Sequence, residues 1–140
     1  MSIAKYVGVK IIDINKHDGF TLVEIMIVVA IIVLLATIAV PSFLRARKRS
    51  QATRILNDLR LIDAAVDQYA IETNKSTGAT VGVTDWTNYL KKGSIIYNTG
   101  ADIFGDVYGP QTVDSLPAVP PSAKQTLSDV VDASFWSPYP

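Results

Sequence analysis

The sequence predicts an α+β fold: one long N-terminal helix packed on a small C-terminal region of short strands, turns and short helices. Three observations predict it. Residues 20–44 are almost wholly apolar. Residues 45–75 switch to a helical period with a single apolar stripe. Residues 76–140 hold six of the eight glycines and six of the seven prolines, so regular elements there must be short.

Residues 1–19 are polar and mixed, with Lys5, Lys10 and Lys16 against Asp13 and Asp18. Residues 20–44 follow, with an unbroken run of twelve apolar residues from Ile25 to Ala36. As a helix they measure about 37 Å at about 1.5 Å per residue, against a bilayer core of about 30 Å. The remaining 96 residues are too few to enclose so uniformly apolar a cylinder. Membrane insertion is therefore expected over burial in a core. A secretory signal peptide fits poorly, because the apolar run is too long and a helical pattern continues after it.

Residues 45–75 open on a basic collar, Arg45, Arg47, Lys48 and Arg49. Ala52, Ile55, Leu56, Leu59, Ile62, Val66, Tyr69 and Ala70 then recur at steps of three and four, the signature of one apolar helix face. No Gly or Pro falls between Ser42 and Asn74, so this helix is expected to continue the apolar one, with a kink at Pro41. In residues 76–140 a short helix is expected over Asp85 to Lys92, ended by Gly93, with Trp86, Tyr89 and Leu90 inward. Ile95 to Tyr97, Tyr108 to Val113 and Leu116 to Val119 read as strands. Ser122 to Val131 reads as a last helix, and the aromatic tail Ser134 to Pro140 as irregular. Three basic against six acidic side chains give this zone a charge of −3. It is expected to fold against the apolar stripe.

Composition narrows the function. Thirteen Lys and Arg balance thirteen Asp and Glu, which argues against a globally basic nucleic-acid binder. There is no cysteine, hence no disulfide or thiolate site, and the one histidine is His17. No phosphate loop or nucleophile elbow is present, and Asp63 with Asp67 is an ordinary one-turn pair on a helix. The chain is not expected to be an enzyme.

Glu24 is the anomaly. A carboxylate inside an apolar span costs about 2.5 kcal/mol or more near the bilayer centre, and less toward the end. It stands in Gly19-Phe20-Thr21-Leu22-Val23-Glu24, followed by the apolar segment with Pro41 near its end. This pattern resembles the processing site of type IV prepilins and of the pseudopilins of type II secretion. The resemblance covers residues 16–75 and extends to the rest only in architecture, a pilin-like fold.

The resemblance implies four zones: a cleaved leader at 1–19, a membrane and filament-core helix at 20–44, an amphipathic continuation at 45–75, and a globular extracytoplasmic region at 76–140. It implies that a prepilin peptidase and methyltransferase cuts between Gly19 and Phe20 and N-methylates Phe20. A lone Gly before a helix is otherwise a cap residue. Glu24 is then the assembly residue, facing the Phe20 amine of a neighbouring subunit. A buried ammonium and a buried carboxylate are each costly alone, and the pair offsets both. The implied partners are a homo-oligomeric filament, an assembly ATPase, a platform protein and the bacterial inner membrane, which the chain crosses once. The filament stands in the periplasm or at the cell surface.

Two features depart from the family. The leader is long, and Asp18 stands where a basic residue is frequent. Counting cations also conflicts with the implied topology, with three lysines before the span against five basic residues from Arg45 to Arg54.

A type II secretion pseudopilin is the preferred reading, with a type IV pilus subunit for adhesion, motility or DNA uptake as the alternative. The missing disulfide favours the former. So does Asp102-Ile103-Phe104-Gly105-Asp106-Val107-Tyr108, which resembles a stretch of the major pseudopilin with Phe104 in place of a Trp. No cofactor and no metal is expected. The resemblance to the major pseudopilin, which holds calcium in a C-terminal loop, makes Asp114, Asp129 and Asp132 the candidate donors. Their spacing is not that of an EF-hand, and scattered carboxylates on an acidic surface are usually solvated. The basic collar is expected to meet lipid headgroups or other subunits in preference to nucleic acid.

Overall fold

Helix α1 runs from Leu22 to Thr73, 52 residues with Pro41 inside it. The computed structural model describes residues 19–140. The expected leader lies outside the described residues apart from Gly19. The chain divides into two units between Ile38 and Ala39.

In the first unit the side chains of α1 are uncovered, from Leu22 at 75% exposure through Leu34 at 64%. Thr37 turns its Oγ1 back onto the Leu34 carbonyl at 2.7 Å, so its hydroxyl is satisfied within the helix. The helix is continuous through Pro41, although the ring removes the donor that the Thr37 carbonyl would accept.

In the second unit the apolar stripe is the core. Ala52, Ile55, Leu59 and Ile62 are fully buried, and Ala65, Val66 and Ala70 nearly so. Each large buried aliphatic contributes roughly 1.5–3 kcal/mol. Leu56 and Tyr69 lie partly buried at the edge of the stripe. The first three core residues meet Val119, Ala123, Leu127, Trp136 and Tyr139 from the C-terminal end of the chain. Ile62 to Ala70 meet Val81, Trp86, Leu90, Ile96 and Val113. The small region thus folds along the helix in two clusters, in the pilin-like manner expected.

α1 stops in a Schellman motif. Asn74 takes a left-handed φ of 53°, and the Lys75 N–H reaches the Ala70 carbonyl at 2.9 Å. Strand β1 (Thr80–Val81) pairs antiparallel with β2 (Gln111–Thr112), Thr80 opposite Thr112 and Val81 opposite Gln111. Helix α2 is Val83–Thr87, α3 is Ile95–Thr99, α4 is Pro121–Leu127, and a 3-10 turn covers Ala133–Trp136.

Several elements depart from the sequence reading. Ile95 to Tyr97 is helix, not strand. Ser94 caps it by accepting from the Tyr97 N–H at 3.2 Å, and Gly100 closes it at φ 61° with its N–H on the Ile96 carbonyl. Paired caps outweigh the strand preference of two isoleucines and a tyrosine. The helix expected over Asp85 to Lys92 starts at Val83 and ends at Thr87. Trp86 and Leu90 nevertheless face inward, Leu90 held in a turn by its N–H on the Thr87 carbonyl at 3.0 Å.

Tyr108 to Val113 pairs only at Gln111–Thr112, because Gly109 (φ 72°) and Pro110 interrupt it. Leu116 to Val119 forms no strand; the Val119 N–H instead holds the Pro140 carbonyl at 2.9 Å. The last helix ends at Leu127, short of Val131. The tail contains one regular turn, capped by Asp132 accepting from the Phe135 N–H. Trp136 and Tyr139 pin that tail into the core.

Candidate functional site

The N-terminal end of α1 is built by four residues. Thr21 precedes the helix, and its Oγ1 accepts from the Glu24 N–H at 3.2 Å. The Glu24 carboxylate reaches back to accept from the Thr21 N–H at 3.4 Å. This reciprocal pair is a capping box, and it satisfies two donors that a helix start leaves open. The spacing Thr-x-x-Glu carries that signal in the sequence, and the sequence reading passed over it. Phe20 is 78% exposed. Gly19 has no heavy atom within 4 Å of where a Cβ would stand. No packing in the described chain therefore demands glycine there. Gly19, Phe20 and Glu24 are brought together at one open end, while Pro41 stands further along the same helix.

Beyond this end the apolar surface continues. Phe43 is 68% exposed and Leu44 is 49% exposed. The span is long and apolar enough to cross a membrane, and none of its most apolar window is buried. Such a surface exposed to water is unfavourable, so lipid or other apolar helices must cover it.

The segment from Asp102 to Tyr108 forms a compact turn. Asp102 is buried, and its Oδ1 accepts from the N–H groups of Phe104 at 2.8 Å and Asp106 at 2.9 Å. Gly105 sits at φ 91°, a conformation that strains other residues, and Ala101 bridges Val107 across the turn. Asp106 accepts from the Ser122 hydroxyl, tying the turn to α4. Tyr108 packs against both core clusters. The turn gives Asp102 and Gly105 structural roles in this chain; Phe104 is partly exposed at its tip.

Beneath the turn lie charges that the sequence reading did not bring together. Asp102 Oδ2 and the Tyr108 hydroxyl are buried without a hydrogen-bond partner. The hydroxyl faces the Asp58 carboxylate without closing good hydrogen-bond geometry, so the electrostatic contact is what counts. Burial drives the Tyr108 hydroxyl above its ordinary range, with Asp58 and Asp102 adding to the shift. Burial likewise raises the Asp58 carboxyl; Asp102 adds to this and Arg54 opposes it.

A raised carboxyl is penalised in the folded state once pH exceeds the unfolded value of about 3.9. Below that value it is protonated in both states and the penalty vanishes. Asp58→Asn is therefore expected to raise the unfolding temperature of the full chain in detergent at pH 7. The gain should shrink as pH falls through the raised folded-state value and vanish below about 3.9. A loss of stability at pH 7 would refute this account.

The three candidate calcium donors each have a local partner. Asp114 accepts from the Thr77 hydroxyl. Asp129 pairs with Lys48 at 2.8 Å, which holds its carboxyl below the ordinary range. Asp132 accepts from the Ser134 hydroxyl at 2.7 Å, which lowers its carboxyl too. Among the described residues, no group of three or more His, Cys, Asp or Glu is placed to hold a metal.

Comparison with known proteins bears on the N-terminal end. The family model described as the prokaryotic N-terminal methylation motif matches residues 14–40. The chain carries a prepilin-type methylation motif. Fimbrial protein Q of Moraxella bovis is 45% identical over 58 residues, 41% of this chain and 37% of that protein. A fimbrial protein of Pseudomonas aeruginosa is 38% identical over 81 residues, covering 52% of this chain and 53% of the relative. The type II secretion system core protein G of Klebsiella pneumoniae is 30% identical over 61 residues, 44% of each chain. The match thus spans about half or less of each relative's length. No solved structure matches the chain. The matched motif runs into the apolar N-terminal part of α1, and the relatives named here are fimbrial proteins and a type II secretion core protein.

Proposed function

We propose that this chain is a structural subunit of a pilus-like filament, of the type II secretion pseudopilin kind, and not an enzyme. The carrying observation is the uncovered apolar helix whose open end holds Gly19, Phe20 and Glu24. A prepilin peptidase cuts between Gly19 and Phe20, and Phe20 is N-methylated. The exposed, unpacked Gly19–Phe20 junction suits entry into a protease site. The span then anchors the subunit in the bacterial inner membrane with residues 45–140 outside the cytoplasm. An assembly ATPase and a platform protein draw subunits into the filament, where apolar helices replace lipid as the cover.

The test is the intact mass and N-terminal peptide of the protein from membranes of its own cells. A chain of 121 residues starting at Phe20, the 140 less the first nineteen, with one added methyl group is the expected result. A chain still carrying the leader beside an active prepilin peptidase would exclude this reading. The higher identity to fimbrial proteins supports a second reading, a type IV pilus subunit. Deleting the gene separates the two: lost secretion of exported proteins marks a pseudopilin, and lost surface fibres mark a pilin.

A further inference from the structure

The collar immediately after the span is unusual in how few of its cations are paired. Arg45, Arg47, Lys48 and Arg49 place four positive charges within five residues. Among the described residues the one ion pair is Lys48 with Asp129, and Arg45 also lends its field to Asp129. Arg47 and Arg49 have no acidic partner among the described residues. At about 3.6 residues per turn, Arg45, Lys48 and Arg49 fall within an arc of about 100° and Arg47 on the far side, so charge surrounds the helix. Arg45, Ala46 and Arg49 line a concavity of about 400 Å³ with Asp129 and Val130. Two arginines line it beside one carboxylate that Lys48 already pairs, which leaves it net cationic.

We propose that Arg45, Arg47 and Arg49 bind the headgroup phosphates of anionic phospholipid at the membrane surface. The proposal rests on the membrane reading of residues 20–44. Its argument is continuity of chemistry. Phe43 and Leu44 are exposed and apolar, and Arg45 follows at once. An anionic lipid meets both demands in one molecule, acyl chains on the apolar side chains and phosphate on the guanidinium groups, which take phosphate oxygens in pairs. Duplex DNA would satisfy the arginines and leave the apolar residues in water. Lipid contact also accounts for cations gathered on a side of the span where charge counting alone would not put them: they hold the subunit at a fixed depth until it leaves the bilayer.

The experiment uses the full chain reconstituted in vesicles of equimolar phosphatidylethanolamine and phosphatidylglycerol, extracted in mild detergent, with the retained lipid measured by mass spectrometry. Phosphatidylglycerol is expected to be enriched over the bulk, with retention falling about fivefold for each Arg→Gln at 45, 47 and 49. The charge-keeping triple Arg→Lys variant should retain most of the enrichment, which separates loss of charge from loss of fold. Equal retention in wild type and the triple Gln variant overturns the proposal. Displacement of phosphatidylglycerol by a short DNA duplex overturns it in favour of nucleic acid. A chain stripped from the vesicles by an alkaline carbonate wash fails at the membrane reading itself; insertion without lipid preference defeats only the collar site.

Discussion

Trp86→Ala is expected to destabilise the C-terminal region by about 3–5 kcal/mol, the range for removing a large aromatic from a closed core. Trp86 is fully buried, and its indole N–H donates to the Gly109 carbonyl at 3.2 Å. Gln111 holds the same carbonyl from its side-chain amide at 3.2 Å. Trp86 therefore both fills the second core cluster and fastens the segment that leads into β2. Close packing is visible at Gly100, where a Cβ would stand 2.7 Å from Val83 Cγ1. Domains of this kind are held by about 5–15 kcal/mol in all, so the loss is a large share. The control is Ile71→Ala, at a site 81% exposed, expected to change stability by about 0.5 kcal/mol or less. Denaturant unfolding of the full chain in detergent, followed by near-ultraviolet dichroism, reads both. Equal effects at the two positions would sink the account of the second cluster.

How much was legible in the sequence depended on how local the cause was. The stripe from Ala52 to Ala70 was legible because a helical period of about 3.6 residues, sustained over some five turns, is difficult to imitate. Ala65 alone among its buried members escaped notice. Short elements were read less well. Ile95 to Tyr97 looks like a strand by composition, and the decision lay with single cap residues on either side, Ser94 and Gly100. The sheet shrank to two residues per strand because Gly109 and Pro110 break what composition alone would extend.

At the site the same division holds. Gly19, Phe20 and Glu24 stand within six residues and announce themselves as a pattern. The pairing of Asp58 with Tyr108 and Asp102 joins positions more than forty residues apart in sequence. No local rule reports it, and only the folded turn over α1 brings the groups together.

Glu24→Val is expected to leave the chain in the membrane and abolish filament formation. Two effects of the substitution oppose each other in the monomer. Losing the carboxylate half of the capping box costs about 0.5–1.5 kcal/mol at most, because the Thr21 hydroxyl still caps the backbone N–H of residue 24. Removing a carboxylate from an apolar segment returns about 2.5 kcal/mol or more near the bilayer centre, and less near the end where Glu24 stands. Membrane retention should therefore change little. In the filament nothing compensates, because the amine of the processed Phe20 would be buried beside an apolar side chain where a carboxylate stood.

Glu24→Gln separates charge from capping. Its amide oxygen can still accept from the Thr21 N–H, so the helix start survives while the ion pair does not. If charge matters, Gln and Val block assembly alike, although exchange of the Thr21 amide stays slow only in Gln. If capping matters, Gln restores filaments. Processing at Gly19 must remain normal in both variants, since an uncut leader would block assembly for a different reason; Gly19→Leu supplies that precursor for comparison. Normal filaments from Glu24→Val, with cleavage intact, would remove the ion-pair role, leaving Glu24 as the capping residue that the structure already shows it to be.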